Sequence, residues 1–189
     1  MTRFETIDYL QHGNERQRAA FQVLVKYNVM GKLAAFDPLL AGTIPIGVDV
    51  AQSDLDVICC WSDKAKLREA LLRYFSGCAC FRLHDTEIKG QESMVATFRL
   101  DGFEVEVFGQ GIPSREQDAF RHLLVEYRLL QKYGEPLRQQ VVRLKQQGLK
   151  TEPAFTRALH LPGDPYEALL QLELGCGSSS RSLKPDPKV

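Results

Sequence analysis

The segment Ser53-Asp54-Leu55-Asp56-Val57 sets two carboxylates at i and i+2 in a run of strand-forming residues. Side chains of a strand alternate between its faces, so Asp54 and Asp56 share one face while Leu55 and Val57 turn to the other. Two steps along a strand separate their Cα atoms by about 6.5 Å. That spacing lets both acids reach cations held roughly 3.5–4 Å apart, the separation of two-metal sites. Without a cation the like charges repel and one pKa rises. Mg²⁺ suits such a pair, because it is a hard ion that takes carboxylate oxygens, keeps water and shares substrate phosphates. The same pattern also fits two acids on an exposed strand face, so the company it keeps decides.

That company is of the right kind. Gly42-Thr43 lies twelve residues before Asp54 and closes a short apolar run. A small residue and a hydroxyl there would let backbone N–H groups approach a polyphosphate. Glu104 and Glu106 begin 48 residues beyond Asp56 and alternate with Phe103, Val105 and Val107, so they too share a face. Either acid, carried on a neighbouring strand, would complete a metal site. Glu106 is the better candidate because it sits deeper in the apolar run, and Glu104 stays open as the alternative.

These residues need elements to hold them. Asn14 and Gln17 have the form of a capping box, and apolar positions then recur at helical spacing, which predicts a helix over 15–30 ended by Gly31. Residues 36–41 and 55–61 suit buried strands, and the Gly- and Pro-containing stretch 42–53 between them is too broken for an ordinary helix. Asp63 caps a helix over 63–75. A strand is expected near 78–83, followed by a hairpin of 94–100 and 103–108 about Asp101-Gly102. Ser114 and Gln117 form a second capping box for a helix over 115–133 stopped by Gly134, and further helices are expected over 136–148, 152–160 and 165–173. The tail GCGSSSRSLKPDPKV has little to bury and is expected to be disordered. The fold class is therefore α+β, a small mixed or antiparallel sheet flanked by helices and followed by a helical segment. Its expected divisions are a core over 1–110, a helical subdomain over 111–174 and a tail over 175–189.

Composition narrows the class. The 189 residues carry 24 Lys and Arg against 24 Asp and Glu, so the chain lacks the global basic excess with which proteins bind long nucleic acid. No run approaches the roughly 20 apolar residues that cross a bilayer, and the amino terminus has no secretory pattern, so a cytoplasmic location is expected. The five cysteines, at 59, 60, 78, 80 and 176, suit reduced and buried thiols better than zinc spacing.

At Gly42-Thr43, Asp54-Leu55-Asp56 and Glu106 the chain resembles the nucleotidyltransferase superfamily, the polymerase-beta-like fold, over roughly residues 15–110. The helical remainder, with YRLL, RLKQQGLKTEPAF and GDPYEALL, resembles that of a small subfamily within it. Thr43 stands where the family commonly has Ser, Glu106 stands where it commonly has Asp, and no helix follows the Gly-Thr pair. The resemblance implies that Asp54 and Asp56 ligate two Mg²⁺ bridging a nucleoside triphosphate, with Gly42, Thr43 and Ser53 holding its phosphates. It implies that Glu106 binds the second ion and takes the proton of an acceptor hydroxyl. That acceptor, on a small molecule, a protein or an RNA, would attack the α-phosphorus and release pyrophosphate. A catalytically silent module of the same fold, binding a nucleotide or a partner protein, is the alternative. A sugar transferase is disfavoured because no βαβ series is present.

The later helices carry Arg115, Arg121, Arg128, Lys132, Arg138, Arg143, Lys145 and Lys150 against four acids, a surplus that suits either a solvated basic face or a phosphate clamp. His122 and Glu126 stand at i and i+4, where a structural pair is the simpler account. Lys150-Thr151 before a helix suits either a cap or an anion.

Overall fold

The computed structural model describes residues 2–174. The expected tail over 175–189, with Cys176, lies outside the described residues. The chain divides into two units. One runs to Pro45 and resumes over Ser53–Phe120, and the other comprises Ile46–Gln52 and the chain from Arg121 onward.

The first unit is built on helices α1 (Glu15–Lys26), α2 (Val29–Lys32) and α3 (Lys64–Phe75) and strands β1 (Leu39–Ala41), β2 (Leu55–Cys60), β3 (Ala79–Ile88), β4 (Gln91–Leu100) and β5 (Phe103–Gln110). The strands form one sheet in the order β1-β2-β5-β4-β3. β2 and β5 are parallel, and the other neighbours are antiparallel. The mixed sheet follows from the connections. Two tight turns, Lys89-Gly90 and Asp101-Gly102, carry positive φ at both residues, which suits the right-handed twist of hairpins. β5 then returns beside β2 only after α3 and β3–β4 have crossed over, and so pairs parallel to it.

Alternation along the strands makes the core. Leu55, Val57 and Cys59 of β2, Val105 and Val107 of β5, and Met94, Ala96 and Phe98 of β4 are buried with Leu67, Leu71 and Phe75 of α3 and Ala20, Val23 and Leu24 of α1. Phe75 and Phe98 stack with ring centroids 4.6 Å apart. The opposite face of β2 and β5 carries Asp56 and Glu106 at one end, and further along the buried Ile58 opposite the half-buried Phe108.

Several expected boundaries shift for physical reasons. α1 ends at Lys26, not at Gly31, because Asn28 takes a left-handed conformation with φ 50° and restarts the chain as α2. The capping box at its start forms as expected. The strand near 78–83 extends to Ile88, because Lys89-Gly90 closes a second hairpin. Ser114 and Gln117 do not cap a helix. Ser114 Oγ donates to Asp37 O and Gln117 Nε2 donates to Cys59 O and Ile112 O, so both side chains are spent on the unit's interior.

Helix α4 (Asp118–Gln146) is two helices joined at Gly134, whose φ of 66° and ψ of −152° no helical residue adopts. In the second unit it is followed by α5 (Thr151–Ala158) and α6 (Pro165–Leu174). Asp164 Oδ1 accepts from the backbone N–H of Tyr166 and Glu167, as a cap should. Thr151 is the first residue of α5 and takes a hydrogen bond from Lys145 Nζ, so it is not the cap. Among the described residues no helix is long and apolar enough to cross a membrane.

Phe98 fills the centre of the first unit's core. Phe98→Ala is expected to lower its unfolding free energy by about 3–5 kcal/mol, read from the urea midpoint.

Candidate functional site

The register places the acids. Asp56 lies directly opposite Glu106 across the parallel pair, and Ala41 lies opposite Asp56 on its other side. Thr97 of β4 is opposite Glu106, and Arg99 is opposite Glu104. Directly opposed residues face the same way, so Asp56, Glu104 and Glu106 share the face turned from Val57, Val105 and Val107, and Asp54 precedes the first residue of β2. Asp54, Asp56 and Glu106 are half-buried, and Glu104 is exposed.

Gly42 stands against this face. Its φ of +75° is left-handed, and a Cβ added there would lie 1.9 Å from Oδ2 of Asp56. The glycine therefore supplies both a turn that L side chains resist and the room in which the Asp56 carboxylate sits. Thr43 Oγ1 donates to Ser53 Oγ at 3.1 Å, which ties the end of β1 to the start of β2.

Two residues of α1, Arg16, which no sequence pattern marked, and Gln17, marked only as a helix cap, hold this loop. Arg16 Nη2 donates to Ser53 O at 2.9 Å, and its guanidinium lies over the Phe103 ring at 4.5 Å. Gln17 donates from Nε2 to Ile44 O and Pro45 O while its Oε1 accepts from the Asn14 N–H in the capping box. Its first role was legible as a helix cap. The second requires knowing where the loop folds back.

Electrostatics sets the acids apart from ordinary surface carboxylates. Burial raises the pKa of Glu106, the charges of Asp54 and Glu104 raise it further, and His84 only partly opposes them. Glu104 has a loose ion pair with Arg99 at 3.8 Å, both side chains being mostly exposed. The structure thus brings Asp56 and Glu106 side by side with Asp54 in electrostatic reach. Among the described residues, however, no group of three His, Cys, Asp or Glu side chains closes into a metal-holding cluster. The donor chemistry fits a hard cation, since the set is all carboxylate and its crowding is of one sign.

Other candidate residues go elsewhere. Cys59 is buried, but Cys60 and Cys78 are half-buried and Cys80 is exposed, so the expectation of uniformly buried thiols does not hold. Arg115 pairs with Glu5 and Asp37, and Arg121 pairs with Glu173. Arg138 donates to the carbonyls of Ile46 and Gly47. In the second unit His122 Nδ1 is 3.4 Å from Glu152 and its Nε2 is 3.0 Å from Tyr166 O. Glu126 is fully buried, and its Oε1 has no hydrogen-bond partner among the described residues. Burial, then the charge of Glu152, pushes the Glu126 carboxyl well up, with Lys145 opposing.

Comparison with known proteins adds the following. The family model described as "Domain of unknown function (DUF4269)" matches residues 22–172. No curated protein matches the chain. Among solved structures, the Cid1 poly(U) polymerase with MgGTP bound is similar over 88% of this chain and 50% of its own, at 11% identity and a TM-score of 0.51. A structure of Cid1 reported for its RNA terminal uridylyl transferase activity gives 88% and 48%, with 11% identity and a TM-score of 0.50. This chain thus spans about half the length of those structures. The shared architecture is the polymerase-beta-like nucleotidyltransferase fold, and at such identity the likeness shows the fold alone.

Two outcomes follow from the crowding. Gly42→Ala is expected to destabilise the protein by at least about 1–2 kcal/mol, from the left-handed backbone alone, read from the urea midpoint. Glu106→Gln is expected to raise the melting temperature at pH 7 in the absence of divalent cations. The sign follows from linkage: a carboxyl whose folded pKa is raised above the ordinary 4.5 loses stability as pH climbs from 4.5 through the folded value. The gain of the Gln variant is therefore expected to vanish below about pH 4.5, where both chains are neutral at this position, and a gain that persisted there would be a packing effect.

Proposed function

The chain belongs to the DUF4269 family, and from that premise and the geometry above we propose that it is an Mg²⁺-dependent nucleotidyltransferase. It would move a nucleoside monophosphate from a nucleoside triphosphate to an acceptor hydroxyl. The carrying observation is the direct opposition of Asp56 and Glu106 beside a Gly42 that only a residue without Cβ could occupy. The polymerase-beta-like fold supports it.

Asp54, Asp56 and Glu106 would hold the ions, two in the family's manner. Mg²⁺ bound there supplies positive charge to a triphosphate and to the oxyanions that develop on it. The chain's own residues do the rest. The backbone at Gly42-Thr43 would meet phosphate oxygens, and the linked Thr43 and Ser53 hydroxyls would offer donors to the same group. Glu106 would accept the proton of the acceptor hydroxyl. The acceptor oxygen forms a bond to the α-phosphorus as the bond from that phosphorus to the bridging oxygen breaks, and the electron pair leaves with pyrophosphate. The acceptor itself is proposed to be a small molecule or a protein or RNA hydroxyl, and the neutral charge balance speaks against long nucleic acid as a partner.

The silent-module reading draws on one observation, the absence among the described residues of a closed three-ligand cluster. One experiment separates the two. The protein is incubated with each labelled triphosphate and Mg²⁺ over a panel of acceptors, and nucleotide transfer and pyrophosphate release are measured. Glu106→Gln is expected to slow release by about 10²–10⁴-fold, and Asp54→Asn/Asp56→Asn to abolish transfer. Metal-dependent triphosphate binding with no turnover would mark a silent module. Neither binding nor turnover would end the proposal.

A further inference from the structure

The face that carries the acids does not stop at Glu106. Register continues the row: Asp56 is opposite Glu106, Glu106 opposite Thr97, and Thr97 opposite Arg82 of β3. The next row pairs Glu104 with Arg99. With strands about 4.8 Å apart, Arg82 and Arg99 stand one to two strands from the candidate base and face the same way. At this end of the face the acids of β2 and β5 stand beside Arg99 of β4 and Arg82 of β3.

A groove opens at the cationic half. It has a volume of about 200 Å³ and is lined by Cys80, Arg82, Thr97, Phe98, Arg99 and Glu104. The ladder shifts register between Ala79 and Arg82, and Cys80 takes φ 59°, so a bulge bends the strand where Arg82 is presented. Arg82 is exposed and has no ion-pair partner among the described residues. Arg99 holds Glu104 only loosely, at 3.8 Å with both side chains mostly exposed. An exposed pair of that kind contributes about 0–1 kcal/mol, so Arg99 is available to a stronger anion.

The chemistry such a pair recognises is narrow. Two guanidinium groups offer planar forks of N–H donors that match phosphate oxygens in bidentate fashion, and a phosphate held by both would displace the exposed Glu104 carboxylate from Arg99. The groove is smaller than the roughly 300–1,000 Å³ of pockets that take drug-sized ligands, so it suits one phosphate-bearing unit. Its position matters more than its size. A molecule whose hydroxyl meets Glu106 and which runs across β4 toward β3 brings a phosphate one to two strands away into the groove.

We propose that the acceptor is phosphorylated and seats its phosphate on Arg82 and Arg99, beside the Glu106 that would take its hydroxyl proton. This rests on the nucleotidyl-transfer reading for the word acceptor. The phosphate belongs either to a free sugar phosphate or to the terminal nucleotides of an RNA, and the chemistry at the groove is the same for both.

The test is a titration of the full chain with ribose 5-phosphate, ribose and a triribonucleotide bearing a free 3′ hydroxyl, each with Mg²⁺ present. Ribose 5-phosphate is expected to bind at least tenfold more tightly than ribose, and the tighter of the two phosphate-bearing probes names the source. Arg82→Ala/Arg99→Ala is expected to erase that preference, and Arg82→Lys/Arg99→Lys to keep part of it, with circular dichroism confirming that each variant is folded. Lys66→Ala/Arg73→Ala removes two cations of α3 and is expected to leave the preference intact. Equal binding of ribose and ribose 5-phosphate overturns the inference. So does an alanine pair that retains the preference, or a Lys66/Arg73 variant that loses it equally. Binding of Mg²⁺ and a triphosphate to the wild-type chain is measured separately. Its absence overturns the nucleotidyl-transfer reading and with it the acceptor role, whereas its presence without a phosphate preference overturns this inference alone.

Discussion

The parallel pairing of β2 with β5 sets Asp56 beside Glu106, and much of the first unit exists to tolerate that crowding. Strand alternation allows no escape, because a shift of one residue would bring Asp56 and Glu106 into the core and turn Val57 and Val107 to the acid face. The apolar set on β2, β4 and β5, packed against α1 and α3, therefore locks the acids in place. What stabilises the fold and what strains it are the two faces of the same strands. A site of like charge held by a neighbouring core is a place where a cation or a proton gains more than it would on an ordinary surface.

The loop from Gly42 to Ser53 shows how the constraint spreads. A carboxylate against Gly42 leaves no room for a side chain, and the chain leaves β1 there through a left-handed turn that glycine adopts without strain. The loop beyond that turn is tied from outside the sheet. Arg16 and Gln17, adjacent on the first turn of α1, reach the Ser53 end and the Ile44-Pro45 part of the loop respectively. Arg16 also lies over Phe103 at the start of β5, so one guanidinium links the helix to the entry of both acid-bearing strands. These are contacts of position, made by groups that do not themselves carry the acids' chemistry.

Local features were legible in the sequence, and long-range ones were not. The Leu55–Cys60 strand, the Asp101-Gly102 turn and the Asn14/Gln17 box each depend on residues within a few positions of one another, and each forms as the pattern implies. The Ser114/Gln117 box has the same local form and fails, because both side chains find interior partners, Asp37 O and Cys59 O, tens of residues away. The extent of β3 was hidden for a related reason. Its edge position leaves it mostly exposed, so it lacks the apolar alternation that marks a strand, and only the Lys89-Gly90 turn betrays the second hairpin. The expected strand over 78–83 contained Arg82, but the bulge between Ala79 and Arg82 and the pairing with Thr97, which together set it on the face of the acids, depend on a partner strand and left no local mark.

The charge balance teaches the same distinction between count and placement. A chain with 24 cations and 24 anions is neutral as a sum, and the surplus on its later helices invites the idea of a basic clamp. Much of that surplus is already committed: Arg115 to Glu5 and Asp37, Arg121 to Glu173, Arg138 to the carbonyls of Ile46 and Gly47, and Lys145 to Thr151. A cation bound to a carbonyl or carboxylate must surrender that partner before it can serve a ligand, so its formal charge overstates what it offers. Arg82 and Arg99 add little to any tally, yet one has no ion-pair partner among the described residues and the other is loosely held, on the sheet face where Asp56 and Glu106 meet. Since fields from exposed charges fade within about 10 Å at ordinary ionic strength, the cations that matter to that face are the ones the strand register carries to it.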